Sequence, residues 1–171
     1  MRYIKRIIYT LLFWVAITFS HPVKVALIGD SISLELKPYL PSNFYVNGRI
    51  GRQFYRVFGI LKHMNINKYD AFVIELGTNG YVKPKDLNRL INLLHGKKIY
   101  LCTIQLPNRY IWKHEVNALY FKTSKKYSNV KVIDWYKFSK HKPQFFIRDG
   151  VHLTTLGAKA YTNLIVDKVL K

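Results

Sequence analysis

Five short apolar runs are spaced along the chain, at residues 24–28 (KVALI), 44–46 (FYV), 71–76 (AFVIEL), 99–104 (IYLCTI) and 130–134 (VKVID). Runs this short, rich in β-branched and aromatic residues and bounded by polar or turn-forming residues, read as strands. Between them the period changes. GRQFYRVFGILKHM places Phe54, Val57, Phe58, Leu61 and Met64 on one helical face, and KDLNRLINLLHG does the same with Leu87, Leu90, Ile91 and Leu94. Gly96 is placed to stop that second helix, since glycine adopts the left-handed conformation that ends helices. WKHEVNALYFKT predicts a third helix, and TTLGAKAYTNLIVDKVLK a fourth, capped by Thr154 or Thr155. A short helix after Ser31 is ended by Pro38, because proline lacks the N–H a helix interior needs. Strands alternating with helices predict an α/β domain whose parallel sheet is covered on both faces.

The first 20 residues do not fit this pattern. MRYIKR is basic, and the 13 residues from Ile7 to Phe19 are almost wholly apolar. That length suits the apolar region of a signal peptide and falls short of the roughly 20 residues that span a bilayer. An uncleaved N-terminal membrane anchor is the other reading. Residues 1–20 are therefore set apart from a single domain at 21–171, and the protein is expected to be exported to the periplasm or the cell exterior. The lone cysteine, Cys102, lies in an apolar run. A second cysteine for a disulfide, a redox pair or a zinc site is missing.

Charge narrows the surroundings further. The chain carries 28 Lys and Arg against 9 Asp and Glu, a formal charge of +19. Without Arg2, Lys5 and Arg6 of the leader the balance is 25 against 9, or +16. Such a field attracts polyanions, and for an exported protein anionic envelope polymers are at hand while nucleic acid is not. The other reading is a surface that simply uses lysine as its default polar residue.

In a parallel α/β sheet, ligands bind beyond the carboxyl ends of the strands, and here each strand is followed by polar or glycine-rich sequence. Gly29-Asp30-Ser31 follows the first strand, Asn47-Gly48-Arg49-Ile50-Gly51-Arg52-Gln53 the second, and Gly77-Thr78-Asn79-Gly80 the third. Gln105 to Arg109 follow the fourth; Asp134, Trp135 and, further on, Asp149 and His152 follow the fifth. A serine nucleophile needs a base, a group that orients the base, and donors for the oxyanion. Ser31, His152 and Asp149 can serve as nucleophile, base and orienting group, Asp149 preceding His152 by one turn. The backbone N–H of Ser31, a glycine N–H from the second strand's loop and the Asn79 amide can serve as donors. Each piece also has a structural reading: Ser31 as a helix cap, and Asp-Gly and Asn-Gly as turns.

GDSIS, NGRIGRQ, GTNG and DGVHLT resemble the four sequence blocks of the SGNH (GDSL-like) hydrolase superfamily. Within it, GRQF, ELGTNG, the Trp112–Val116–Asn117 spacing, VIDW and RDGVHLTTLGAKAY are most similar to the extracellular domain of peptidoglycan O-acetyltransferases. The resemblance runs through residues 24–170. It implies a flavodoxin-like three-layer α/β/α sandwich with five parallel strands, an acyl-enzyme on Ser31, His152 as base and Asp149 as its partner. It also implies an oxyanion hole of Ser31, Gly51 and Asn79, and no metal or organic cofactor. Asn47 and Gly48 replace a pair that is often Asp-Ala in those domains; Gly51 is preferred to Gly48 as donor because Gly-Arg-Gln begins there. Arg109, Trp112, Asn117 and Trp135 are candidates for the wall that binds the acceptor. The acetyltransferases carry an acyl-exporting membrane domain on the same chain, whereas one short apolar segment stands here. A separate membrane partner would then deliver the acyl group. The expected function is an exported serine esterase or O-acyltransferase acting on an acylated glycan or another ester. The alternative is a non-catalytic polyanion- or glycan-binding module on the same fold.

Overall fold

The structure is a computed structural model that describes residues 22–171; the proposed leader at 1–20 lies outside the described residues. Five strands form one parallel sheet: β1 (Val25–Gly29), β2 (Phe44–Gly48), β3 (Ala71–Glu75), β4 (Lys98–Cys102) and β5 (Val130–Ile133). Their order across the sheet is β2-β1-β3-β4-β5. The chain steps from β1 to one side and then returns to its other side, so strand order reverses between β1 and β3. A crevice opens at the carboxyl ends of strands that flank such a reversal.

Alternation along the strands divides the core in two. Ala26, Ile28, Phe72, Ile74, Ile99 and Leu101 face one layer of helices, packing with Val57 and Leu61 of α2 (Val57–His63), Leu87 and Leu90 of α3 (Pro84–Leu93), and Val116 and Tyr120 of α4 (Trp112–Lys126). Val25, Leu27, Val73, Tyr100 and Cys102 face the other, against Ile32 and Leu36 of α1 (Ser31–Leu36), Trp135 of α5 (Trp135–Ser139), and Tyr161 and Ile165 of α6 (Thr155–Leu170). Every residue of β1 and β3 is buried. Their sequences are accordingly apolar on both faces, as central strands of a covered parallel sheet must be. The domain is the expected three-layer α/β/α sandwich. Among the described residues no helix is long and apolar enough to cross a membrane.

Local details depart from the sequence pattern in two places. The helix expected from Gly51 to Met64 is shorter: a 3-10 turn at Phe54–Arg56 leads into α2, which ends at His63. Helix α5 had no periodic signal, being only five residues long; Asp134 starts it by accepting a bond from Lys137 N–H at 3.1 Å. Of the two threonines, Thr154 is the cap of α6, its Oγ1 accepting from Gly157 N–H at 3.2 Å. Gly157 is required there because a Cβ would stand 2.0 Å from the carbonyl oxygen of Phe145.

Candidate active site

The turn between β1 and α1 is tight, and its first residue shows why. A Cβ on Gly29 would lie 1.7 Å from Ser33 Oγ and 2.7 Å from the Glu75 carbonyl oxygen, so only glycine lets β3 and α1 close on this point. Asp30, not Ser31, is the helix cap: its Oδ1 accepts from Ile32 N–H at 3.0 Å. Ser31 is the first residue of α1 and is half-exposed, and its hydroxyl is not used in capping the helix.

The hydroxyl meets a histidine from 121 positions further along the chain: Ser31 Oγ lies 3.2 Å from His152 Nε2. The other ring nitrogen, Nδ1, is 2.6 Å from Asp149 Oδ2. Burial acts to raise the Asp149 pKa, but bonds from the His152 ring and from the N–H groups of Val151 and His152 outweigh it and hold the carboxyl below its usual range. An ionised Asp149 accepts from Nδ1–H, and this leaves the Nε2 lone pair facing the serine hydroxyl. The same bond to Asp149 raises the His152 pKa above its ordinary value, with the Glu35 and Asp149 charges adding to it against partial burial. The segment carrying the pair is pinned from α1, where Glu35 Oε2 accepts from Leu153 N–H at 2.8 Å.

Beneath Ser31 lies a buried polar knot. Asn79 Nδ2 donates to Asp30 Oδ2 at 3.0 Å, and Ser33 Oγ donates to Glu75 Oε2 at 2.9 Å. Burial raises the Asp30 pKa to about 6, against the opposing bonds from Ile32 and Asn79. Burial, and then the Asp30 charge, push Glu75 well above the usual carboxylate range. Two adjacent buried carboxyls do not both ionise readily, which is why the Asp30 charge raises Glu75.

A pocket of about 340 Å³ opens over Ser31 and His152, lined also by Thr78, Asn79, Leu106, Tyr110 and Trp112. Of the residues picked from sequence, Ser31, Asn79, Asp149, His152 and Trp112 meet at this pocket. Trp112 is held by its Nε1–H, which donates to the Gly77 carbonyl at 3.0 Å. Arg109 does not line the pocket; it is tied to the triad segment by donating to the Asp149 carbonyl at 3.2 Å. Asn117 and Trp135 do not reach the pocket. Asn117 is buried with its amide bonded at both ends to the Ile104 backbone, at 2.8 and 3.0 Å. Trp135 stacks on Tyr161 at 4.1 Å within the core. Gly51 sits in an exposed left-handed turn (φ 69°) that lines a neighbouring depression, with nothing within 4 Å of where its Cβ would be. Gly48 packs closer to the serine: its Cβ would stand 3.1 Å from the Asp30 carbonyl oxygen.

Sequence reasoning passed over Glu35, Glu75 and Tyr110. Glu35 was accessible to it, because four residues after Ser31 on a helix is the same face. Glu75 was not, since nothing local marks one acid in an apolar strand as the neighbour of another.

The fold is that of solved SGNH and GDSL-like hydrolases. The particular relatives are acetyltransferases. It is 36% identical, over 146 residues and 82% of its length, to the O-acetyltransferase OatA of Staphylococcus aureus, of which it spans 24%. Among solved structures it is similar to the C-terminal catalytic domain of the Streptococcus pneumoniae peptidoglycan O-acetyltransferase OatA (TM-score 0.77, 22% identity, 86% of this chain and 93% of that one). It is also similar to a carbohydrate esterase of family 3 from Talaromyces cellulolyticus (TM-score 0.69, 18% identity, 86% and 96%). No family model matches the chain.

Proposed function

We propose that the protein is an exported serine esterase or O-acyltransferase that removes or transfers acetyl esters on an envelope glycan such as peptidoglycan. The observation that carries this reading is the hydrogen-bonded series Ser31–His152–Asp149, at 3.2 and 2.6 Å, under an open pocket. In the first half-reaction Ser31 Oγ attacks the ester carbonyl while its proton passes to His152 Nε2. Asp149 holds the ring and stabilises the imidazolium that forms. The carbonyl oxygen becomes an oxyanion, bonded by the Ser31 N–H, a glycine N–H of the loop after β2 and Asn79. One amide hydrogen of Asn79 goes to Asp30, and a side-chain amide has two, so the second serves the oxyanion. Two glycines compete for this role: Gly51, favoured by its place before Arg52-Gln53, and Gly48 at the end of β2, favoured by its nearness to the serine turn.

As the intermediate collapses, the ester C–O bond breaks, the alcohol leaves with the proton from His152, and the acetyl group stays on Ser31. Water or a sugar hydroxyl, giving its proton to His152, then attacks that acyl-enzyme and frees the serine. Water yields hydrolysis and a sugar yields transfer. The names of the relatives support acetyl transfer, and the basic and then apolar sequence at residues 1–20 supports its taking place outside the cytoplasm. The test is turnover of p-nitrophenyl acetate by the wild type and by Ser31→Ala. A fall of about four to six orders of magnitude is expected, as for other triad deletions. Equal rates would sink this reading, because surface lysines consume activated esters in both proteins alike.

A further inference from the structure

Beside the Ser31 pocket, the outer edge of the sheet is hollowed and basic. A depression of about 540 Å³ is lined by Arg49, Arg56 and Ile60 among others, and meets a second of about 440 Å³ at Ile60. The second shares Tyr45, Lys68 and Tyr69 with a third of about 700 Å³. Together they make a trough that runs from the carboxyl end of β2 along this edge strand. It reaches the serine side through Gln53, which lines the first depression and lies 3.9 Å from where a Gly80 Cβ would be, next to Asn79.

Three features say what fits there. No residue lining the trough is acidic. Among the described residues neither Arg49 nor Arg56 is in an ion pair, so their charges are free for a ligand. Arg52 differs: its guanidinium is buried and bonded to Gly29 O (2.8 Å), Asn47 O and Asn47 Oδ1 (2.7 Å), and it braces β1 to the loop after β2. Finally, tyrosines line the path; Tyr45 is 45% exposed and packs 5.7 Å from Tyr69. Tyrosine offers an apolar face with a polar tip, which suits the mixed surface of a sugar ring.

We propose that this trough is the binding track for an anionic glycan strand, with carboxylate or phosphate groups on its repeat, whose ester is presented to Ser31. The proposal rests on the esterase or transferase reading of the Ser31 pocket and adds to it a binding site and a substrate class. Its test is a binding measurement. The protein is titrated with polygalacturonate, a phosphomannan, neutral dextran and single-stranded poly(dT) at two salt concentrations. Either anionic polymer should bind at least tenfold tighter than dextran, with salt weakening it, and the stronger of the two identifies carboxylate or phosphate as the recognised group. The double variant Arg49→Gln/Arg56→Gln should weaken that binding about tenfold, the size expected of two partly screened charges. Tyr45→Ala should weaken it further in combination. The control is Lys125→Gln/Lys126→Gln, which removes the same charge at the end of α4, beside β5 at the opposite edge of the sheet; it should change binding less than twofold. An equal loss in the control would mean a diffuse field rather than a track and would overturn the proposal, as would tighter binding of poly(dT) or no binding at all. Ester turnover does not enter this readout, so failure here leaves the test of Ser31 standing, and the reverse.

Discussion

The serine corner and the β2 edge lie on neighbouring strands and are built on opposite principles. At the corner the polar groups are spent on one another. Asp30 takes bonds from Ile32 and Asn79, Glu75 takes one from Ser33, and Asp149 takes three from two residues. At the edge Arg49, Arg56 and Lys68 face solvent without ion-pair partners among the described residues. The difference is one of what each must do. A site that moves a proton and stabilises a charge needs its groups fixed in advance. A surface that draws in a polymer needs free charge, which long exposed side chains supply at little cost to the fold.

That contrast can be broken at its most sensitive point first. Asp149→Asn should lower kcat about 10⁴-fold by leaving the histidine without its orienting anion, read in steady-state kinetics. It should also move the pH profile. In the wild type the bond to Asp149 raises His152 above 6.5, and only the neutral ring can accept a proton. The acid limb of kcat/KM should therefore sit above pH 6.5 and fall to lower pH in the variant. Linkage runs the other way for stability. A raised histidine stabilises fully below 6.5 and loses that contribution as pH rises through its folded pKa.

The next effect is structural. Gly29→Ala forces a Cβ against Ser33 Oγ and the Glu75 carbonyl, and should cost about 2–4 kcal/mol of folding free energy in denaturant titration. Asp30→Asn is milder. It keeps an acceptor for the Ile32 N–H but sets an NH2 donor against the Asn79 amide where Oδ2 accepted its bond, and kcat should fall about tenfold through a less firmly held Asn79. Because burial raises Asp30 to about 6, its ionisation opposes folding as pH rises. The variant's Tm should accordingly vary less than the wild type's between about pH 4 and 6. The smallest effect belongs to the edge: Arg49→Gln and Tyr45→Ala should each shift stability by no more than about 0.5 kcal/mol. A loss there as large as that of Gly29→Ala would erase the distinction between the two regions.

Much of the corner was legible in the chain, and particular residues show the limit. Gly-Asp-Ser after an apolar run marks a strand, a turn and a helix start, and Asp149 three residues before His152 fits a single turn. Both are local patterns. The cap could not be assigned this way, because Asp30 and Ser31 are each good caps, and only the turn's geometry assigns it to Asp30. Asn117 and Trp135 looked equally suited to a binding wall. Which side of a strand end a residue faces depends on how β4, β5 and α4 pack, and that packing buries both against the core.

By itself, then, the sequence determined the alternation of strands and helices, the doubly covered sheet, and the set of reactive groups at strand ends. Periods of 2 and 3.6 are properties of neighbouring residues and need no knowledge of the rest of the chain. Tertiary structure alone decided that Ser31 and His152 meet across 121 positions, that Glu75 lies against Asp30, and that Arg49, Tyr45 and Lys68 share one trough. Those are consequences of strand order and of desolvation. Both depend on which distant segments are brought side by side, and local pattern carries no record of that.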